Sequence, residues 1–403
     1  MVAAPPTLHD AVDEILPGLV ADRRHLHEHP ELGMQEVETA RFVADRLRQL
    51  GLEDIRTGIA NTGVTALIRG SNPDGPGAGK VVLLRADMDA LPILEENDVE
   101  YRSQNPGVMH ACGHDAHTAI QMGVARMLMG RRGEFAGTVK VLFQPCEEAP
   151  PGGAAPMIAE GVLQNPDVTA AFAIHMANSM PVGMVGTRAG AQQAAADLFT
   201  ITVQGRGGHG AEPHTTVDPV VVGSQIVSAL QTLVSRETDP LASVVVTVGT
   251  FNAGSAPNVI PDTAVLTGTV RTLDQAIREQ TAERMQTLVG GVAKAMGAEA
   301  TLDYRWGYPA LVNDTDMAQL VLETAAEVVG RDNVVVIPPS MPGEDMSYFL
   351  QKVPGCMFVV GSMNEERGLV WGHHHPRFDI DEGSLAIGVE MMTSVVLRYF
   401  ERG

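Results

Sequence analysis

The stretch VVLLRADMDALP, residues 81–92, decides the fold. Val81 to Leu84 form an unbroken apolar run, which suits a central strand covered on both faces. Asp87 and Asp89 follow directly, so the strand ends in acidic residues. Outward from it, TVKVLFQ (138–144) and VTAAFAIH (168–175) read as further buried strands. HDAHTAIQMGVARMLMG (114–130) has helical period, and a second helix is expected around Ala155 to Glu160. Upstream, EVETARFVADRLRQLG (36–51) places Ala40, Val43, Leu47 and Leu50 on one helical face and stops at Gly51. The first 50 residues read as two helices around a basic, His-rich turn. Strands alternating with helices predict an α/β layer with a mostly parallel sheet flanked by helices.

The pattern changes after about Arg188. AAADLFTITVQG is a strand, VDPVVVGSQIVSALQTLVSR a long helix, SVVVTVGTF and DTAVLTGTVRT two strands, and DQAIREQTAERMQTLVGGVAKAMG a second long helix. That order predicts a ferredoxin-like α+β module inserted into the first layer. The expected division is 1–187 with 300–403, and 188–299 for the insert.

Composition narrows the function classes. The chain has 403 residues and a formal charge of -21, from 28 Lys plus Arg against 49 Asp plus Glu. No basic footprint for nucleic acid or for an anionic membrane surface is expected. Three cysteines, Cys112, Cys146 and Cys356, are too few for a disulfide scaffold and fit a reducing compartment, the cytoplasm. The start, MVAAPPTLHD, lacks the pattern of a signal peptide, and no apolar run approaches a membrane span.

Four short segments concentrate metal-donor chemistry: HACGHDAH (110–117), FQPCEEAPPGGA (143–154), AFAIHM (171–176) and WGHHHPRF (371–378). Three of them fall at or just after predicted strand ends, where open α/β sheets place their sites. Thiolate, imidazole and carboxylate all bind divalent transition metals, and mixed donors leave room for water. Singly, Cys112 reads more readily as a buried thiol, His175 as a structural hydrogen bonder and Glu147–Glu148 as a solvated pair. Jointly they point to a catalytic metal centre, with one carboxylate on metal and its neighbour handling a proton.

Other residues stand out. His209, in the Gly-rich GRGGHGAEPH (205–214), has the chemistry to donate to an oxyanion. The segment lacks the GxxxxGK of a phosphate loop. Asn258 precedes a Pro-bounded turn, and Arg271, at a strand end, suits a substrate carboxylate, although an Arg there is more often a surface ion pair. Asp87 and Asp89 are placed to orient a ligand His, or to form an Asx turn. Glu344 and Asp345 shape a pocket or cap a helix.

On RRHLHEHPELG, LLRADMDALP, HACGHDAHTA, FQPCEEAPPGGA, HMANSMPVG, GRGGHGAEPHTTVDPV, APNVIPDTAVLTGTVRT, GEDMSYF and HHHPRFD, the chain resembles the metal-dependent aminoacylase and carboxypeptidase superfamily. Its nearest branch looks like the N-acyl-amino-acid amidohydrolases, including hippurate hydrolases and auxin-conjugate hydrolases. The resemblance covers nearly the whole chain. It implies a catalytic domain with two divalent metal ions (Mn, Zn, Co or Ni) and an inserted lid that commonly dimerises. It implies that Cys112 bridges the ions, with His114, Glu148, His175 and His374 as ligands and Glu147 as general base. His209 resembles a lid histidine that reaches a partner subunit's site, and Asn258 a further lid residue near substrate. Asp89 resembles an Asp that orients the ligands, while Asp87 stands where other branches have a His ligand. The implied substrate is a small N-acylated amino acid or a short peptide. Three features depart from the branch: Cys146 where Ala is common, the longer APPGGA turn, and the triple His, in which His-x-Pro selects His374. The other readings are a dipeptidase, a biosynthetic deacetylase and a catalytically silent metal-binding scaffold. A nucleotide-binding oxidoreductase is a poor fit, since no GxGxxG opens the first domain.

Overall fold

The computed structural model describes residues 7–402. Most of the start read above as no signal peptide lies outside the described residues. In chain order the first segment forms α1 (Leu8–Glu28), α2 (Val37–Gln49), β1 (Glu53–Ile59), β2 (Gly63–Arg69), β3 (Val81–Asp87), α3 (His114–Gly130), β4 (Thr138–Gln144), α4 (Ala154–Ala159), β5 (Ala170–Pro181) and β6 (Val185–Thr187). The middle forms β7 (Gly190–Gln193), β8 (Ala195–Gln204), β9 (Gly208–His209), α5 (Pro219–Thr232), β10 (Val244–Ala253), β11 (Val259–Ile260), β12 (Thr263–Thr272), α6 (Gln275–Ala295), β13 (Glu299–Tyr308) and β14 (Leu311–Asn313). The last segment forms α7 (Thr315–Val328), β15 (Val334–Val336), α8 (Met346–Leu350), β16 (Gly355–Met363) and α9 (Gly383–Glu401).

Two compact units result. The first comprises the chain up to Gly190, Val312–Pro338 and the chain from Tyr348; the second comprises Ala191–Leu311 and Pro339–Ser347. The first unit carries an eight-stranded sheet in the order β1-β2-β4-β3-β5-β16-β6-β15. Its centre is parallel: β4, β3, β5 and β16 run the same way. The flanks β2 and β6 are antiparallel to their neighbours β4 and β16. Every residue of β3 is buried, as the continuous apolar run requires of a strand covered on both faces. α3 is buried along nearly its whole length and packs against α1, α9 and β3. It is therefore buried on all sides rather than one-sided, and its polar residues His114, Asp115 and His117 gather in the first turn.

α1 differs from the sequence reading. A capping box of Thr7 and Asp10 starts it, and it runs through Glu28. The expected His-rich turn is thus its last helical turns. Nothing between Arg23 and Glu28 breaks a helix, and the break comes at Pro30.

The second unit holds a four-stranded antiparallel sheet, β10-β12-β8-β13, with α5 and α6 packed on it. The connection β8-α5-β10-β12-α6-β13 and this strand order are those of a ferredoxin-like module. The unit continues past residue 299, where the sequence reading ended the insert. Glu299 to Arg305 pair in continuous register with Gln204 to Leu198, so β13 is an edge of this sheet.

Candidate metal centre

Register puts the donors together. β3 and β4 pair in parallel with Asp87 opposite Gln144, and β3 and β5 with Arg85 opposite Ala173. The carboxyl ends of the three strands are therefore level, and Asp87, Asp89, Glu147, Glu148 and His175 issue from one edge. Cys112 and His114 enter from the start of α3. Gly113 separates them with φ 89, a left-handed conformation that a side chain resists, and a Cβ there would meet Met176 at 3.2 Å.

Overlapping triads of donors form. The donor atoms of Cys112, His114 and His175 lie within 4.8 Å of one another, as do those of Cys112, Glu148 and His374, and those of His114, Glu147 and Glu148. His175 Nε2 is 3.7 Å from Cys112 Sγ, and His374 Nε2 is 3.0 Å from Glu148 Oε1. The hydrogen bonds behind them fix the rings. His114 Nδ1–H donates to the Asp89 carbonyl at 2.8 Å, and His175 Nδ1–H to the Met176 carbonyl at 2.7 Å. Each ring then turns Nε2 inward, the usual arrangement behind a metal-ligating imidazole. His114 Nε2 is buried without a hydrogen-bond partner among the described residues.

Asp89 sets the carboxylate pair. Its Oδ1 accepts the Glu147 N–H at 2.9 Å and its Oδ2 the Glu148 N–H at 3.0 Å. Asp87 is fully buried and is held by Arg85 at 2.5 Å and by His117 at 2.6 Å. Burial alone would raise the Asp87 carboxyl, but Arg85, His114 and His117 hold it well below the usual range. His117 spends both nitrogens, since its Nε2 accepts the Met176 N–H at 2.8 Å. It is a positioning residue rather than a donor to the centre.

The triple His separates by geometry. His375 stacks on Trp371 with ring centroids 4.2 Å apart, and its Nδ1 accepts the Arg377 N–H. His373 packs between His175 and Phe378, and burial pushes its pKa down to about 3. His374 alone of the three meets Glu148. Its φ of 65 is uncommon for a residue with a side chain, and its N–H is tied to the Ala111 carbonyl at 2.8 Å.

The donors suit divalent transition ions, and so does the charge. Burial lowers His114, yet Asp87 and Asp89 outweigh it and push its pKa up to about 10. Burial, with Glu148 and Glu147, holds the Cys112 thiol well above its usual value. A pocket this negative favours cations, and a bound cation would convert the thiol to a thiolate ligand.

Sequence reasoning missed Glu36. Its buried carboxylate accepts the Cys146 N–H at 2.8 Å, the Met34 N–H at 3.1 Å and the Thr62 hydroxyl at 2.5 Å. Cys146, next to Glu147, has φ 52, so Glu36 secures a strained turn beside the carboxylate pair. The acidic start of EVETARF was its one signal.

The remaining expected residues lie in the second unit. His209 on β9 pairs with Val259 on β11, and the Gly210 N–H donates to the Asn258 carbonyl at 2.8 Å, which makes His209 and Asn258 neighbours. Both are exposed. Arg271 is half-buried, and its Nη1 donates to Thr269 Oγ1 at 2.5 Å. Glu344 and Asp345 are buried, and Glu344 accepts the Met346 N–H at 2.8 Å, a local turn bond.

Relatives are close over nearly the full length. The chain is 40% identical over 367 residues to an N-acetyl-L-cysteine deacetylase of Bacillus subtilis, covering 91% of this chain and 84% of that one. It is 39% identical over 384 residues to thermostable carboxypeptidase 2 of Saccharolobus solfataricus, covering 94% and 95%. The crystal structure of the Bacillus subtilis YXEP protein, described as a dinuclear metal-binding peptidase of the M20 family, matches with a TM-score of 0.84 at 34% identity, covering 97% and 99%. Residues 83–398 match the sequence profile of peptidase family M20/M25/M40. The level strand ends, the shared thiol and the carboxylate pair thus sit in a chain that belongs to peptidase family M20/M25/M40 and is a metal-dependent hydrolase of it.

Proposed function

We propose that the chain hydrolyses the amide bond of a small N-acylated amino acid, releasing a carboxylic acid and a free amino acid. The observation that carries this reading is the Asp89 carboxylate. By taking both backbone N–H groups, it fixes two adjacent carboxylates beside the imidazole and thiol donors. Cys112, His114, Glu148, His175 and His374 would hold two divalent ions, with Cys112 common to two of the triads. Mixed N, O and S donors suit Zn, Mn, Co or Ni. Such ions supply acidity to water and polarise the scissile carbonyl. Glu147 takes the proton from the attacking water and returns it to the leaving amine. Asp87 and Asp89 hold the donors in place from behind.

The second unit supplies substrate contacts in this reading: His209 donates to the developing oxyanion, and Asn258 and Arg271 hold the substrate. The chain acts as a homodimer through this unit, with His209 serving the partner's centre. Mixing His209→Ala with Glu147→Gln protein restores activity on that account; verified heterodimers that stay inactive overturn it. Three cysteines in 403 residues are too few for a disulfide scaffold, which supports a reducing, cytoplasmic location.

The likeness to the deacetylase supports an N-acyl substrate, and the likeness to the carboxypeptidase supports a short peptide as the second reading. Hydrolysis of N-acetyl amino acids, N-benzoyl amino acids and dipeptides by purified protein with added Mn, Co, Zn or Ni decides between them. Faster N-acyl turnover is expected. Faster dipeptide turnover installs the second reading, and metal uptake without any hydrolysis leaves a silent scaffold.

A further inference from the structure

The last turns of α1 carry a second group of metal-donor side chains that the centre above does not use. His25, Glu28 and His29 stand at i, i+3 and i+4, so the helical period puts them on one face. One donor atom of each lies within 4.8 Å of the other two. His29 Nδ1–H donates to the His25 carbonyl at 2.8 Å. That bond fixes the tautomer and leaves the Nε2 lone pair for a ligand, as at established metal sites. The His25 ring is oriented by Phe42 of α2, with centroids 4.5 Å apart, and by His29 at 4.6 Å. Neither the His25 ring nitrogens nor the Glu28 carboxylate makes a hydrogen bond among the described residues.

The support is rigid and the approach open. The Glu28 carbonyl accepts the Gln104 N–H at 2.8 Å, and the Pro30 carbonyl accepts Asn105 Nδ2–H at 3.2 Å, so the helix end is held in place. The three side chains line a groove of about 710 Å³ along α1 and α2. Glu31, Glu38 and Asp45 also line it, and its two arginines are engaged: Arg41 with Glu38, and Arg46 with Asp22. The groove therefore presents net negative charge to an incoming cation.

We propose that His25, Glu28 and His29 form a separate site for a divalent transition-metal ion, with its remaining coordination open to the groove. Two imidazoles and one carboxylate are the donor set of three-ligand zinc sites that keep a position for water. Imidazole donors favour Zn, Ni, Co or Cu over Mg or Ca. An ion there ties together two consecutive turns of α1. It binds the folded chain alone, and so stabilises it in proportion to its concentration.

The test counts zinc bound per chain during equilibrium dialysis of the purified holoenzyme, for wild type and for His25→Ala/His29→Ala. Wild type is expected to take up one zinc per chain more than the variant. Its melting temperature should rise with zinc where the variant's does not, and hydrolytic activity should be equal in the two. Equal uptake overturns the proposal. Should the double variant fold poorly, Glu28→Gln decides alone. Extra zinc held at least about tenfold more weakly supports the site, and unchanged affinity overturns it.

Discussion

His114 and Asp115 are consecutive on α3 and both fully buried, yet they face two different charge clusters. On the Asp115 side the protein answers its own charges. Arg23 donates to Asp115 at 2.7 Å and to Asp379 at 2.8 Å. His27 lies between Asp115 at 2.7 Å and Glu95 at 3.2 Å, and Tyr101 donates to Asp379 at 2.7 Å. On the His114 side Arg85 answers Asp87, while Glu148 is met by His374, His114 and the Cys112 thiol. The same residue types build both clusters. One is closed by a guanidinium from α1; the other is left for cations from outside. A buried ion pair is weak evidence for net stability, but breaking one is costly. On the proposed function, the closed cluster governs folding and the open one governs chemistry.

Separating those two roles is the strongest test. Glu147→Gln is expected to lower kcat by about 10²- to 10⁴-fold, with metal content by elemental analysis and urea midpoint unchanged. A variant that keeps its turnover removes Glu147 from its role. Arg23→Met should do the reverse. It strands the Asp115 and Asp379 carboxylates, and unfolding free energy should fall by about 3–5 kcal/mol, while metal per folded chain is retained. Loss of metal without loss of stability would erase the distinction between the clusters.

Glu36→Gln probes a residue with a share in both roles. It weakens a charge-assisted cradle under Cys146, and about 1–3 kcal/mol of stability should go with it. The same variant should lower kcat more than it raises KM, because the carboxylate pair loses its footing. A change in stability alone would leave Glu36 outside the catalytic framework.

A separate effect is in pH dependence. Burial and Arg23 oppose charge on His27, but Asp115 and Glu95 outweigh them and push its pKa from 6.5 up to about 9. A raised folded pKa stabilises fully below the unfolded value and ceases to do so as pH rises through the folded one. Stability should therefore decline from about pH 6.5 to pH 9, and His27→Gln should flatten that limb. A limb of equal slope in the variant would assign it to other groups.

Much of this was legible in the sequence, for identifiable reasons. The runs 81–87, 138–144 and 168–175 announced themselves because strands covered on both faces must be apolar throughout. The donors were legible because Cys, His and paired Glu rarely gather at strand ends without cause. What escaped was non-local. Glu36 reaches a backbone N–H 110 residues away, and no spacing rule connects them. His117 looks like a ligand in HACGHDAH, and only its two occupied ring nitrogens show otherwise. β1 went unread because its residues are mostly exposed and its pairing with β2 is broken by register shifts.

The sheet order also dictates a sequence of assembly. β16, built from Gly355–Met363, takes its place between β5 and β6, strands that leave the ribosome long before it. The ferredoxin-like module, nearly continuous in the chain, is complete while that slot still gapes. Domains fold as units in the order they emerge, and pairings distant along the chain come late. His374 follows β16 in the chain, so on the proposed ligand set the last donor emerges after β16. Until then, on that reading, the thiol and the carboxylate pair stand as an unfinished cup.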